Sequence, residues 1–194
     1  MKKYILAIIT GITVGMLTLI GQKYLPINLN FLANSGAVWL IPAFLVSLKS
    51  HSEKISSVSV CVMCLLCCVF GYYGFETIVN RHSFEMGYYT WVWIGCAVVG
   101  GVIFGIGAWV ANNKEGLIKY GALDLLPAVF LAEGIYKVIH ISGYRHMVPG
   151  VMMIIAIGVI LFLVVNKKQS LSGKAIFPLL VLTAFGLFVF EVVY

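Results

Sequence analysis

The sequence predicts an all-α, polytopic transmembrane helix bundle of seven spans with a cytoplasmic N-terminus. Three observations carry that expectation. Of 194 residues, 61% are hydrophobic and 10% charged, and the mean hydropathy is +1.03; a soluble domain carries roughly a quarter charged residues. Such a chain cannot cover a globule with polar surface, so its first partner is the lipid bilayer. Apolar runs of spanning length recur along the whole chain, at 4–21, 31–48, 55–79, 88–111, 117–141, 147–165 and 175–193; a span needs about 20 such residues. The basic residues then divide unequally between the two sides. Cytoplasmic segments hold Lys2, Lys3, Lys49, Lys54, Lys114, Lys167, Lys168 and Lys174, with Lys119 just inside the fifth span. External segments hold Lys23, Arg81 and Arg145, with Lys137 just inside the fifth span. Nine against four is the asymmetry of the positive-inside rule. Residues 1–194 read as a single integral membrane domain in the cytoplasmic membrane of a bacterium, with Tyr194 outside.

The net charge of +6 does not indicate nucleic acid, because the basic residues are scattered singly or in pairs between apolar runs. Topology explains them better.

Span one opens Met1-Lys2-Lys3 and continues for 18 uncharged residues, Tyr4 to Gly21. That is long for a signal-peptide core, and no Ala-x-Ala site follows, so it reads as a retained helix. Gly11 and Gly15 are spaced for close helix packing. Span two is the least uniform. Asn34, Ser35 and Gly36 lie near its start and Pro42 in its middle. It reads as a kinked or partly re-entrant segment, and six spans result if it does not cross. Asn34 and Ser35 suit a helix N-cap, and a helix start also attracts an anionic group.

Span three carries Cys61, Cys64, Cys67 and Cys68, and span four Cys96. Cys61, Cys64 and Cys68 share a helical face and read as small packing residues rather than metal ligands. No metal-ligand spacing stands out, and no cofactor is expected. Span four runs 24 residues, Tyr88 to Ala111, without a charge. Tyr88, Tyr89, Trp91 and Trp93 at its outer end and Trp109 at its inner end read as interfacial belts. Gly101 and Gly105 form a second close-packing pair, for use inside the bundle, in a homo-oligomer or against a membrane partner.

The chemistry concentrates in span five, whose residues 123–140 read LDLLPAVFLAEGIYKVIH. A charge at mid-bilayer costs about 2.5–3.5 kcal/mol on insertion scales, so such groups must pair, sit near an end or face a polar cavity. Glu133 and Lys137 are one turn apart, acid first, the favourable order for an ion pair. His140 shares their face. Asp124, nine residues before Glu133, lies on the opposite side of an ideal helix and is within about a turn of Lys119. Pro127 interrupts the ladder between the two acids. With alternating spans, Glu76 of span three, Glu133 and Glu191 of span seven fall at comparable outer depth. Tyr72 and Asn80 share the face of Glu76, and Tyr73 adjoins it. Asn34 lies at the same level, and Arg81, His82, Arg145 and His146 lie in nearby external loops. The arrangement predicts an outward-facing polar vestibule. Carboxylates with tyrosines suit a cation, and carboxylate–histidine pairs suit proton relay.

The expected function is binding or transport of a small cationic or zwitterionic solute. Glu133 is its principal charge and Lys137 orients it. Glu76, His140, Asp124, Asn34 and Glu191 are further contacts or proton carriers, and Tyr72 and Tyr73 are ring walls. The alternative is a non-transporting accessory or regulatory subunit that packs on a partner through its glycine faces. Catalysis is not indicated: there is no Gly-x-Ser-x-Gly elbow, no His-Glu-x-x-His pair and no Walker-type loop.

The stretch LANSGAVWLIPAFL, followed by plain spans and then by the acidic LLPAVFLAEG, resembles small multi-pass bacterial membrane proteins grouped as a domain of unknown function. That resemblance implies the membrane architecture over most of the chain and no activity.

Overall fold

The computed structural model describes every residue except 51, 52, 82, 141, 143, 144, 167–171 and 194. His82, Lys167, Lys168 and Tyr194 therefore lie outside the described residues. The described residues contain eight α-helices and no strand: α1 (Lys2–Tyr24), α2 (Asn30–Asn34), α3 (Ala37–Lys49), α4 (Lys54–Asn80), α5 (Tyr88–Asn113), α6 (Gly116–Ile139), α7 (Val148–Asn166) and α8 (Gly173–Val193). Among the described residues, five stretches are long and apolar enough to cross a membrane: Lys2–Tyr24, Lys54–Asn80, Tyr88–Asn113, Arg145–Asn166 and Gly173–Val192. Helix α6 has the length, at 24 residues, but carries Lys119, Asp124, Glu133 and Lys137.

The second expected span is not one helix. The chain leaves helical geometry at Ser35 (φ −78°, ψ 116°) and re-enters it at Ala37. Helix α3 has 13 residues, about 20 Å at 1.5 Å per residue, against a hydrocarbon core of about 30 Å. Other boundaries have local causes. Leu25 is extended (φ −69°, ψ 141°) because Pro26 disfavours the helical region for the residue before it. Gly116, the first residue of α6, takes φ +69°, a conformation glycine adopts without steric cost.

The chain forms two compact units: residues 1–25 with 38–109, and residues 26–37 with 110–194. In the first unit, α1 and α4 run parallel and nearly touch. A Cβ on Gly11 would lie 2.3 Å from the Cys64 carbonyl oxygen, and one on Gly15 would lie 2.2 Å from that of Cys68. Gly71 reciprocates: a Cβ there would lie 2.6 Å from the Ile12 carbonyl oxygen. Cys61, Cys64 and Cys68 are fully buried there with free thiols. Helix α5 returns antiparallel on α4, where a Cβ on Gly101 would lie 2.6 Å from Val62 Cα and one on Gly105 would lie 2.5 Å from Val58 Cα. Both glycine pairs are thus used inside the unit. The face named for a partner, Gly101 and Gly105, is covered by the chain's own α4.

Helix α3 runs antiparallel to α4. Ser47 Oγ donates to the Ser57 carbonyl at 2.9 Å, and Trp39 Nε1 donates to Thr18 Oγ1 at 2.8 Å. Trp93 contacts the Trp39 ring, with centroids 5.4 Å apart. It is therefore packed inward, whereas Tyr88, Tyr89 and Trp91 are exposed. Those three have the exposure that a belt requires, while the Trp93 ring finds an aromatic partner inside the unit.

The second unit is built around α6, which buries twelve residues from Ala122 to Lys137. Helix α7 lies antiparallel on it, Gly134 against Ile155 and Gly158 against Leu131. Helix α8 lies parallel, Gly121 against Pro178 and Gly186 against Ala132. The α2 segment closes on α7, where Gly150 N–H donates to the Asn28 carbonyl at 3.0 Å.

Candidate functional site

Helix α6 carries the buried polar groups of the second unit at two levels. Their separation follows from helix geometry: nine residues are two and a half turns, so Asp124 and Glu133 face opposite neighbours.

At the level nearer its C-terminus, Glu133 is 7% exposed. The Ser35 hydroxyl, 2% exposed, donates to Glu133 Oε2 at 2.6 Å. Ser35 reaches it because it sits in the break between α2 and α3, where the side chain is not committed to a helix face. One turn past Glu133, Lys137 is 8% exposed and close enough to act electrostatically on the carboxylate. Its Nζ stands 5.6 Å from the Phe31 ring centroid and 5.6 Å from that of Tyr136. Such contacts contribute most where water is excluded. The group therefore joins a carboxylate, a hydroxyl, an ammonium and two rings from the α2 segment and α6.

His140 ends α6, with its Nδ1 3.0 Å from the Tyr136 carbonyl. Its Nε2 lies 3.9 Å from Glu191 Oε2, and both side chains are well exposed, at 42% and 59%. An exposed pair of this length contributes little. Within this unit Glu133 and Glu191 thus serve different partners. Tyr136 links the two groups, stacking on Phe190 of α8 at 5.7 Å.

At the other level, Asp124 is fully buried. Lys119, about a turn earlier on the same helix, was one candidate partner. Its hydrogen-bond partner is Asn166 of α7, whose Nδ2 donates to Asp124 Oδ1 at 2.7 Å. Sequence reasoning missed Asn166, which ends its span next to two lysines and reads there as the start of a loop. The usable signal was its being the one amide in Val148–Asn166.

Three expected site residues belong to the first unit. Tyr72 donates to Gln22 Oε1 at 2.6 Å and so ties α4 to α1. Tyr73 packs edge-on against Tyr72 at 5.0 Å. Glu76 accepts from Asn80 Nδ2 at 3.3 Å. Asn34 is exposed, and its amide bonds back to Asn30, to the carbonyl at 3.0 Å and to Oδ1. It closes its own turn, and the neighbouring Ser35 makes the contact with α6.

No curated protein and no solved structure matches the chain. A family model does match, over residues 1–194, and by that match the chain belongs to a family of unknown function (DUF6518).

Proposed function

We propose that this membrane protein binds, and carries across the cytoplasmic membrane, a small zwitterionic or cationic solute, with Glu133 as the principal charge. One observation carries the reading: the hydroxyl of Ser35, in a broken helix, meets the buried Glu133 carboxylate at 2.6 Å. Non-helical backbone is tolerated at membrane depth only where it is buried in protein or lines a cavity. Transporter sites are built from such discontinuous helices. A carboxylate kept away from water at that break is a ready acceptor for an ammonium group, and the Phe31 ring beside it can receive the same cation.

Lys137 sharpens the choice of solute. Side chains one turn apart on a helix have Cβ atoms about 5–6 Å apart, so a plain cation on Glu133 would face the Lys137 charge. A zwitterion would give its ammonium to Glu133 and its carboxylate to Lys137. Zwitterions of amino-acid size are therefore the favoured class.

The test is thermal stability of the purified protein in detergent across small amines, amino acids and vitamins, with wild type beside Glu133→Gln. A ligand at a hundred times its dissociation constant stabilises by about 2.7 kcal/mol. A shift in wild type that vanishes in a folded Glu133→Gln protein supports the site. No shift with any ligand, with equal stability of the two proteins, would move the assignment to an accessory subunit.

A further inference from the structure

The Asp124 level of α6 holds more acceptors than donors. Asp124 is 0% exposed and Asn166 6%. The Asn166 Nδ2 group supplies both of its available bonds, to Asp124 Oδ1 at 2.7 Å and to the Phe162 carbonyl at 3.2 Å. Asp124 Oδ2 and Asn166 Oδ1 are both buried and receive no hydrogen bond. A buried acceptor left unsatisfied costs about 1–3 kcal/mol, and more when charged. One feature adds oxygen to this stretch: Pro127 has no N–H to give the carbonyl of Leu123, the residue beside Asp124.

Among the described residues, little else there can neutralise the acid. Helix α7 carries no titratable side chain between Val148 and Asn166. Helix α8 offers Lys174, exposed in its first turn, and Glu191 in its last. On α6 itself the neighbours are Lys119 and Tyr120, about a turn earlier, and Glu133, Tyr136 and Lys137 at the other level.

We propose that Asp124 and Asn166 form a binding site for a small monovalent cation, a proton or a sodium ion. One carboxylate supplies one negative charge, and the two unsatisfied oxygens supply the contacts. A bound cation of either kind satisfies them together. Intramembrane carboxylates commonly mark ion and proton pathways. The site stands whether or not Glu133 holds a solute.

Asp124 is the single aspartate of the chain. Aspartate labelled with carbon-13 at its side-chain carboxyl therefore reports on this group alone in the wild-type protein. A carboxyl that is protonated at neutral pH identifies the proton. An ionised carboxyl whose signal moves saturably with sodium, and not with choline, identifies sodium. An ionised carboxyl that ignores sodium overturns the proposal. Asn166→Leu should weaken sodium binding by at least about tenfold, the worth of one hydrogen bond to a charged group, and should shift the pH at which the carboxyl ionises. No change in that variant would remove Asn166 from the site. Glu133→Gln should leave the Asp124 signal where it was, which keeps this test separate from that of the solute.

Discussion

The two buried acids of α6 differ in what completes them. Glu133 receives a hydroxyl hydrogen bond and has an ammonium one turn away, while Asp124 has a single amide donor and an unpartnered oxygen. Ser35→Ala removes the hydroxyl and leaves a buried carboxylate short of a donor. It should destabilise the protein by about 1.5–3 kcal/mol, the range for hydrogen bonds to charged groups, measured by denaturation in detergent. A loss near zero would mean that another donor, such as water, takes its place. Lys137→Met should separate the solute classes in the binding assay. Zwitterions should lose affinity because their carboxylate has no partner, while plain cations should gain it because a repelling charge is gone.

At the scale of the element, packing rests on glycines that face backbone rather than side chain. Gly11 and Gly15 bring α1 onto α4, and Gly101 and Gly105 bring α5 onto its other side. A Cβ at any of these would overlap atoms of a neighbouring helix that cannot swing aside. Gly15→Leu and Gly101→Leu should each destabilise the first unit by at least about 1–3 kcal/mol, the usual cost of overpacking. Gly95→Ala, where a Cβ meets nothing within 4 Å, should be neutral or stabilising by about 0.5–1 kcal/mol through helix propensity. Melting temperatures of the three variants in one detergent check the contrast. If Gly95→Ala were as damaging as the other two, α5 would be packed on that side as well.

For the whole molecule, the testable quantity is the number of crossings. Among the described residues, five stretches have the length and apolarity to span. Seven crossings require that α6 cross despite its charges and that α2 and α3 together complete one pass. Within the first unit α3 runs opposite to α1 and α4, and within the second α7 runs opposite to α6 and α8. Each unit therefore alternates direction along the chain. Seven crossings place the two termini on opposite sides of the membrane. A reporter fused after Tyr194 should then be external, with one at the N-terminus cytoplasmic. Both reporters on the same side would leave an even number of crossings and remove the common outer depth assigned to Glu76, Glu133 and Glu191.

The sequence by itself determined the membrane setting and the all-helical class, because no arrangement of a chain with 10% charged residues can dissolve its apolar surface in water, and lipid requires backbone groups to bond internally. It also marked α6 as the place to look, since buried charge in such a helix needs a partner. Periodicity placed Asp124 and Glu133 on opposite faces, and spacing singled out the glycine pairs. What only the tertiary structure decided is who meets whom. Ser35 and Glu133 are 98 residues apart, and Asn166 and Asp124 are 42 apart. No local pattern encodes either contact. Asn34 carries the larger polar group and was the natural choice, but backbone geometry turned it onto its own helix and gave the contact to its neighbour. Hydropathy could not see the break at Ser35 either, because Ser and Gly are mild on any apolar scale, and a break in helical geometry depends on two dihedral angles rather than on composition.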